Sequence, residues 1–334
     1  MDKMESNRNK LIELLSASRD KYVSGQFLSE KLDISRSAIW KHMRELEKDG
    51  YKIEGVSRKG YRIIKFPDKV SENTLQWGLQ TQWLGKKIIH REAISTTQQL
   101  AHKTAQEGTN NGTVIIADEQ TEGKGRMNRH WHSSKGKGVW MSLILKPDIP
   151  PNLAPQLTLL TATVLAEVFS SYTNTNPKIK WPNDILIEDR KTAGILTEMQ
   201  AEQDQIQYVV IGMGINVNTA AEEIPDDIRN KATSLRMETG ENWNLKDLIQ
   251  RILAAFETGY ETYMTDGFPP VKQKWEHYGY KIGERLFIKT LRKEWYATFI
   301  GIGEDGALLI QNDDGGVEKI YSAEIEWFKE KGDV

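Results

Sequence analysis

No cysteine occurs among the 334 residues. That excludes a disulfide framework, a thiol nucleophile and a thiolate metal site. Histidine is scarce at six residues, and its one close pair, His130 and His132, lacks the partner spacing of a zinc motif. No apolar run reaches the roughly 18–20 residues that span a bilayer. The opening MDKMESNRNK has no apolar segment of a secretory signal, so a cytoplasmic protein without a membrane role is expected. Internal repeats and low-complexity tracts are missing as well. What is present is ordinary for globular chains: 38% hydrophobic and 28% charged residues, enough for two or three domains.

Charge is distributed unevenly. Residues 1–66 carry 15 Lys and Arg against 10 Asp and Glu, while the whole chain is net −2. A basic head on an acidic body suggests a nucleic-acid-facing module joined to something else. Within the head, residues 8–20 have helical apolar spacing. Ser24 can cap a short helix ending near Leu32, and Asp33-Ile34-Ser35 makes a tight turn. Ser35 can then cap a second helix from Arg36 to about Lys48, with Gly50 as its stop. Leu28, Leu32, Ile34, Ile39, Met43 and Leu46 form the shared core, leaving Arg36, Ser37, Trp40, Lys41 and Arg44 outward. Two short strands around Ser57-Arg58-Lys59-Gly60 follow. Residues 1–65 therefore read as a winged helix-turn-helix DNA-binding domain, the second helix entering the major groove and the wing touching backbone. Ser24, Ser35, Arg58 and Lys59 complete the candidate DNA-binding set.

KFPDKVSENTLQ reads as a linker. Residues 75–265 alternate strands (86–91, 112–118, 139–145, 177–181, 184–188, 208–218) with helices (97–106, 152–172, 245–264), which predicts an α/β domain on a large mixed sheet. From 270 to 334 short strands separated by Gly- and Asp-rich turns predict an SH3-like β-barrel.

Four stretches of the central domain carry chemistry. TEGKGRMNRHWHSSKGKG (121–138) packs five cations among four glycines, yet fits neither the Walker nor the dinucleotide fingerprint, since Asn128 stands where a sixth-place Gly is required. Residues 119–138 are expected to lack secondary structure and to close over an anionic small molecule. KWPND places Asp184 in a turn seven positions before Lys191, which precedes the small residues Thr192-Ala193-Gly194. GMGIN ends an apolar strand with Gly212, Gly214 and Asn216; glycines there are compatible with bulges. Ser95, Thr96 and Thr97 start a helix, where hydroxyls cap backbone or bind polar ligand atoms.

These stretches, in this order between a helix-turn-helix and a small β-barrel, resemble the biotin protein ligases, most of all the bacterial type that also represses biotin-synthesis genes. The resemblance spans the chain. It implies that biotin and ATP form biotinyl-5′-adenylate with release of pyrophosphate, and that a lysine of the biotin carboxyl carrier domain of acetyl-CoA carboxylase or a relative then takes the biotin. It implies Lys191, Arg126 and Asp184 as catalytic residues. Biotin is held by Ser95, Thr96, Thr97, Gln120, Lys124, Gly125, Arg126 and Lys191; ATP by Gly123, Trp131, Asp184 and Asn216. Mg²⁺ enters on the ATP phosphates, with Asp184 a candidate ligand. An adenylate-bound homodimer on operator DNA follows from the same likeness. Two departures stand out: Lys124 and Asn128 replace the usual loop Arg and Gly, and Thr97 stands where Asn is frequent. A lipoate-type ligase, and a ligand-sensing repressor without turnover, are the competing expectations.

Overall fold

The computed structural model describes residues 3–18, 21–290 and 293–327. The chain divides into two compact units, Met1–Leu79 and Gln80–Val334.

In the first unit α1 (Lys3–Ala17), α2 (Gly25–Leu32) and α3 (Arg36–Lys48) precede the antiparallel hairpin β1 (Lys52–Val56) and β2 (Gly60–Lys65). The helix expected over 8–20 thus ends at Ala17; positions 19 and 20 lie outside the described residues. Both expected caps are in place, Ser24 Oγ accepting from Phe27 N and Ser35 Oγ from Ala38 N, each at 3.1 Å. Asp33, at φ 53°, ends α2. Leu11, Leu28, Ile39 and Leu46 are fully enclosed in the small core. The stretch expected to be a linker is in part ordered: α4 (Glu72–Gln76) buries Leu75, and Trp77 stacks on Phe66 at 4.4 Å.

The second unit is built on seven strands: β3 (Ile88–Ile94), β4 (Thr113–Gln120), β5 (Gly138–Leu145), β6 (Lys178–Lys180), β7 (Asp184–Ile187), β8 (Arg190–Glu202) and β9 (Gln205–Asn216). Their order is β3-β4-β5-β9-β8-β7-β6, with β3–β4 parallel and every other pair antiparallel. The mixed sheet expected from the alternation is present, but β8 is a strand the periodicity did not reveal. α5 (Thr97–Gln106) covers part of one face, while α6 (Ala154–Thr173) and α8 (Leu245–Asp266) pack against each other and against the sheet; α7 (Leu235–Thr239) is a single short turn between them.

After α9 (Pro269–Tyr278), β10 (Arg285–Lys289), β11 (Glu294–Ile302), β12 (Leu308–Gln311), β13 (Val317–Ile320) and β14 (Glu324–Glu326) form an antiparallel sheet ordered β13-β12-β11-β10-β14. It is tied to the larger sheet's unit by Trp181 Nε1 donating to Gly306 O (3.2 Å) and Gln156 Nε2 donating to Glu304 O (2.7 Å).

Candidate active site

Strand register lines up one row across the large sheet. Lys180 pairs with Asp184, Asp184 with Gly194, Gly194 with Gly214, and Gly214 with Trp140. Laterally paired residues share a face, so two charged residues and a buried indole flank a pair of glycines. The glycines leave a hollow, and the indole of Trp131 lies in it. A Cβ on Gly214 would stand 2.5 Å from Trp131 Nε1, and one on Gly194 3.0 Å from its Cζ3. Neither Gly212 nor Gly214 is a bulge, since the β9 register runs regularly through both. Gly212 makes room instead for Gln98, whose Oε1 would meet a Cβ at 2.5 Å.

Lys191 Nζ lies 5.0 Å from the Trp131 ring centroid and 2.6 Å from Asp184 Oδ1. Lys180 Nζ holds the other oxygen, Oδ2, at 3.2 Å. Asp184 is 9% exposed. Burial by itself pushes its carboxyl up, but Lys191 and Lys180 together outweigh that and hold it below the ordinary value of 3.8. It therefore sits buried as a carboxylate between two ammonium groups, rather than projecting from a turn. Both oxygens of Asp184, the residue expected near a Mg²⁺ on the ATP phosphates, face lysine cations. Among the described residues no group of three or more His, Asp or Glu could hold a metal ion.

The cation-rich stretch is more ordered than its composition suggested. Gln120 pairs with Ser133 and Lys124 with His130; Gly125 N donates to Arg129 O and Trp131 N to Gly123 O, both at 2.8 Å. A narrow hairpin results, turning through Arg126–Asn128 with Met127 and Asn128 left-handed at φ 56° and 57°. Asn128 adopts the conformation that makes it a substitute for Gly. Arg126 Nη1 reaches across to Asn183 Oδ1 at 3.3 Å, beside Asp184. Lys124 is exposed and Gly125 half-buried, both held in the hairpin ladder before its turn.

A chain of hydrogen bonds leads from this hairpin into the sheet. Gln120 Oε1 accepts from Thr97 N (2.8 Å) and Thr97 Oγ1 (3.1 Å), and its Nε2 donates to Ser133 Oγ (3.0 Å). Thr97 Oγ1 also meets Ser142 Oγ at 2.9 Å, and Ser142 donates to Gln98 Oε1 at 3.1 Å. Gln98 Nε2 ends the chain on Glu198 Oε2 at 2.9 Å. Of the three hydroxyls expected at this helix start, only Thr96 caps it; Ser95 Oγ donates to Gln99 Oε1. Asn216, at the end of β9, donates to Thr233 O. Thr97, Gln120, Gly123, Trp131, Arg126, Asp184 and Lys191 are thus brought together, directly or through Ser133 and Asn183. Lys180, Gln98, Ser142 and Ser133 were missed. Lys180 carried a signal in its position before Trp181, but the hydroxyls and the amide look like any polar residue in a strand or helix.

In the first unit α3 and the hairpin bound a groove of about 580 Å³ lined by Arg36, Trp40, Arg44, Arg58 and Lys59. Trp40 is 54% exposed with Arg44 over its ring at 5.3 Å. Lys41 and Ser37 are also exposed, whereas the Ser24 and Ser35 oxygens serve as helix caps.

Comparison with known proteins identifies the family. The profile of the biotin/lipoate A/B protein ligase family matches residues 91–216, an HTH domain profile matches 7–62, and that of the biotin protein ligase C-terminal domain matches 281–327. The chain is 48% identical to the bifunctional ligase/repressor BirA of Bacillus subtilis, over 96% of this chain and 98% of that protein. It is 29% identical to the Escherichia coli protein of the same name, over 94% and 97%. Among solved structures, the biotin protein ligase of Aquifex aeolicus in complex with biotin and ATP superposes with a TM-score of 0.63 at 29% identity, covering 72% of this chain and 98% of that one. The chain belongs to the bifunctional ligase/repressor group of the biotin protein ligase family.

Proposed function

We propose that the protein is an ATP-dependent biotin protein ligase. It joins biotin to the α-phosphate of ATP, with pyrophosphate leaving, and then passes the biotinyl group to a lysine amine of a biotin carboxyl carrier domain, with AMP leaving. The observation that carries this is the hollow over Gly194 and Gly214, closed by Trp131 and bordered by Lys191, Lys180 and Asp184. Biotin's carboxylate and the α-phosphate repel, so a site that joins them needs fixed cations and a dry wall. Lys191 and Arg126 supply charge at the reacting oxygens. Thr97 and Gln120 offer donors and acceptors to a polar head group such as biotin's urea, with Ser95 and Thr96 at the same helix start. Gly123, Lys124 and Gly125 give the hairpin cations and freedom to fold over the adenylate, and Trp131 and Asn216 border the nucleotide side. Mg²⁺ accompanies the ATP phosphates and supplies charge neutralisation there.

The regulatory half rests on the first unit. The three helices and hairpin of the first unit are assigned as a winged helix-turn-helix, the unit of the large sheet as the ligase domain, and the β10–β14 sheet as an SH3-like barrel in which the first strand pairs with the last. The adenylate-bound protein acts as a homodimer on operator DNA of biotin-synthesis genes, in the cytoplasm. Arg36, Ser37, Trp40, Lys41 and Arg44 face the major groove, and Arg58 and Lys59 the backbone.

Biotin-dependent exchange of labelled pyrophosphate into ATP tests the catalytic half. Exchange with biotin and none with lipoate is expected; no exchange with biotin would refute it. Gel shifts of operator DNA test the rest: removal of residues 1–79 is expected to abolish binding, and an unchanged shift would refute the assignment of the head.

A further inference from the structure

We propose that Lys180 is a positioning residue for the ligase reaction: it keeps the Asp184 carboxylate paired so that Lys191 is free to turn to the reacting anion. The inference rests on the ligase reading above. Lys180 and Asp184 are register partners across the hairpin of β6 and β7, and Lys191 reaches the same carboxylate from β8. Each lysine takes a different oxygen, Lys191 at 2.6 Å and Lys180 at 3.2 Å. Two cations therefore meet one buried anion beside the hollow. Were Lys191 the sole partner, the pair would be neutral, and moving its ammonium to a phosphate or carboxylate would abandon a buried charge. With Lys180 in place the carboxylate remains compensated while Lys191 departs. Asp184 thus works as a holder of both lysines, and Lys180 acts through it without touching substrate.

The test is a double-mutant cycle read by biotin-dependent pyrophosphate exchange at 25 °C, on full-length variants whose folded state is checked by circular dichroism. Lys180→Met is expected to lower kcat at least tenfold while the KM for biotin changes less than threefold. Lys180→Arg, which keeps the charge, is expected to recover to within threefold of the wild-type kcat. In an Asp184→Asn background the Lys180→Met effect is expected to shrink below threefold, because no carboxylate is left to trap Lys191. A wild-type kcat in Lys180→Met would overturn the inference. So would an Arg variant as slow as Met, or an equal Met effect in both backgrounds, which would mark a packing role. Absence of exchange in the wild-type protein would instead overturn the ligase reading itself.

Discussion

Asp184→Asn removes the anion from a buried cluster and leaves two ammonium groups facing one another. Deleting one partner of a fully buried pair costs about 3–5 kcal/mol. Here the side chains of Lys191 and Lys180 are 32% and 22% exposed, so water screens part of the penalty. We expect a loss of about 2–3 kcal/mol. For a unit of this size that corresponds to a Tm lower by roughly 4–12 °C. The loss has a pH signature. The Asp184 carboxyl is held below its ordinary value of 3.8 in the folded protein, so its stabilisation is fully present above that value. It disappears as pH falls through the lower folded value. The gap between wild type and Asp184→Asn in urea titrations should therefore be constant from pH 7 to about 5 and narrow below about 4. A gap under about 0.5 kcal/mol at pH 7 would place Asp184 among ordinary surface pairs and refute the buried-cluster argument.

Arg126→Gly should speed release of the adenylate at least tenfold in a filter-retention assay, since the hairpin loses the cation that reaches Asn183; an unchanged off-rate would refute its role. Gly212→Ala pushes a methyl into the Gln98 carboxamide and should cost about 1–3 kcal/mol in urea unfolding. In the C-terminal sheet Lys319 and Tyr321 hydrogen-bond Asp305 and, against a burial effect that raises it, bring its carboxyl down to about 2. Stability from Asp305 is then present above 3.8 and lost as pH falls towards 2, so Asp305→Asn should flatten that part of the acid limb by up to about 1 kcal/mol, the Lys319 side chain being 50% exposed.

The sequence determined much of this protein by itself. Helix caps at Ser24 and Ser35 act over three residues, and the short, β-branched-rich apolar runs within β4, β5 and β9 read as buried strands. Local chemistry decides such features, so they were legible. β8 was hidden because Gly194, which lies under Trp131, and the exposed Glu198, Met199 and Gln200 interrupt the apolar alternation a strand normally shows. α9 was hidden by Pro269 and Pro270, which read as a breaker although Pro fits a helix's first turn. The order within the hairpin of residues 121–133 comes from bridges between Gln120 and Ser133 and between Lys124 and His130, which composition cannot announce.

At the site the division is sharper. The motifs carried a resemblance to the biotin protein ligases, and that resemblance chose Lys191, Asp184, Arg126, Trp131, Thr97 and Gln120. Only the tertiary structure decided that Asp184 is shared by two lysines, that the glycines of β8 and β9 are a floor for Trp131, and that Gln98 is held by Gly212 and Ser142. These depend on strand register, which puts Lys180, Asp184, Gly194 and Gly214 in one row although they span 35 positions of chain. A shift of one residue in any of those pairings would turn half of them to the opposite face, and no local property of the residues carries that information.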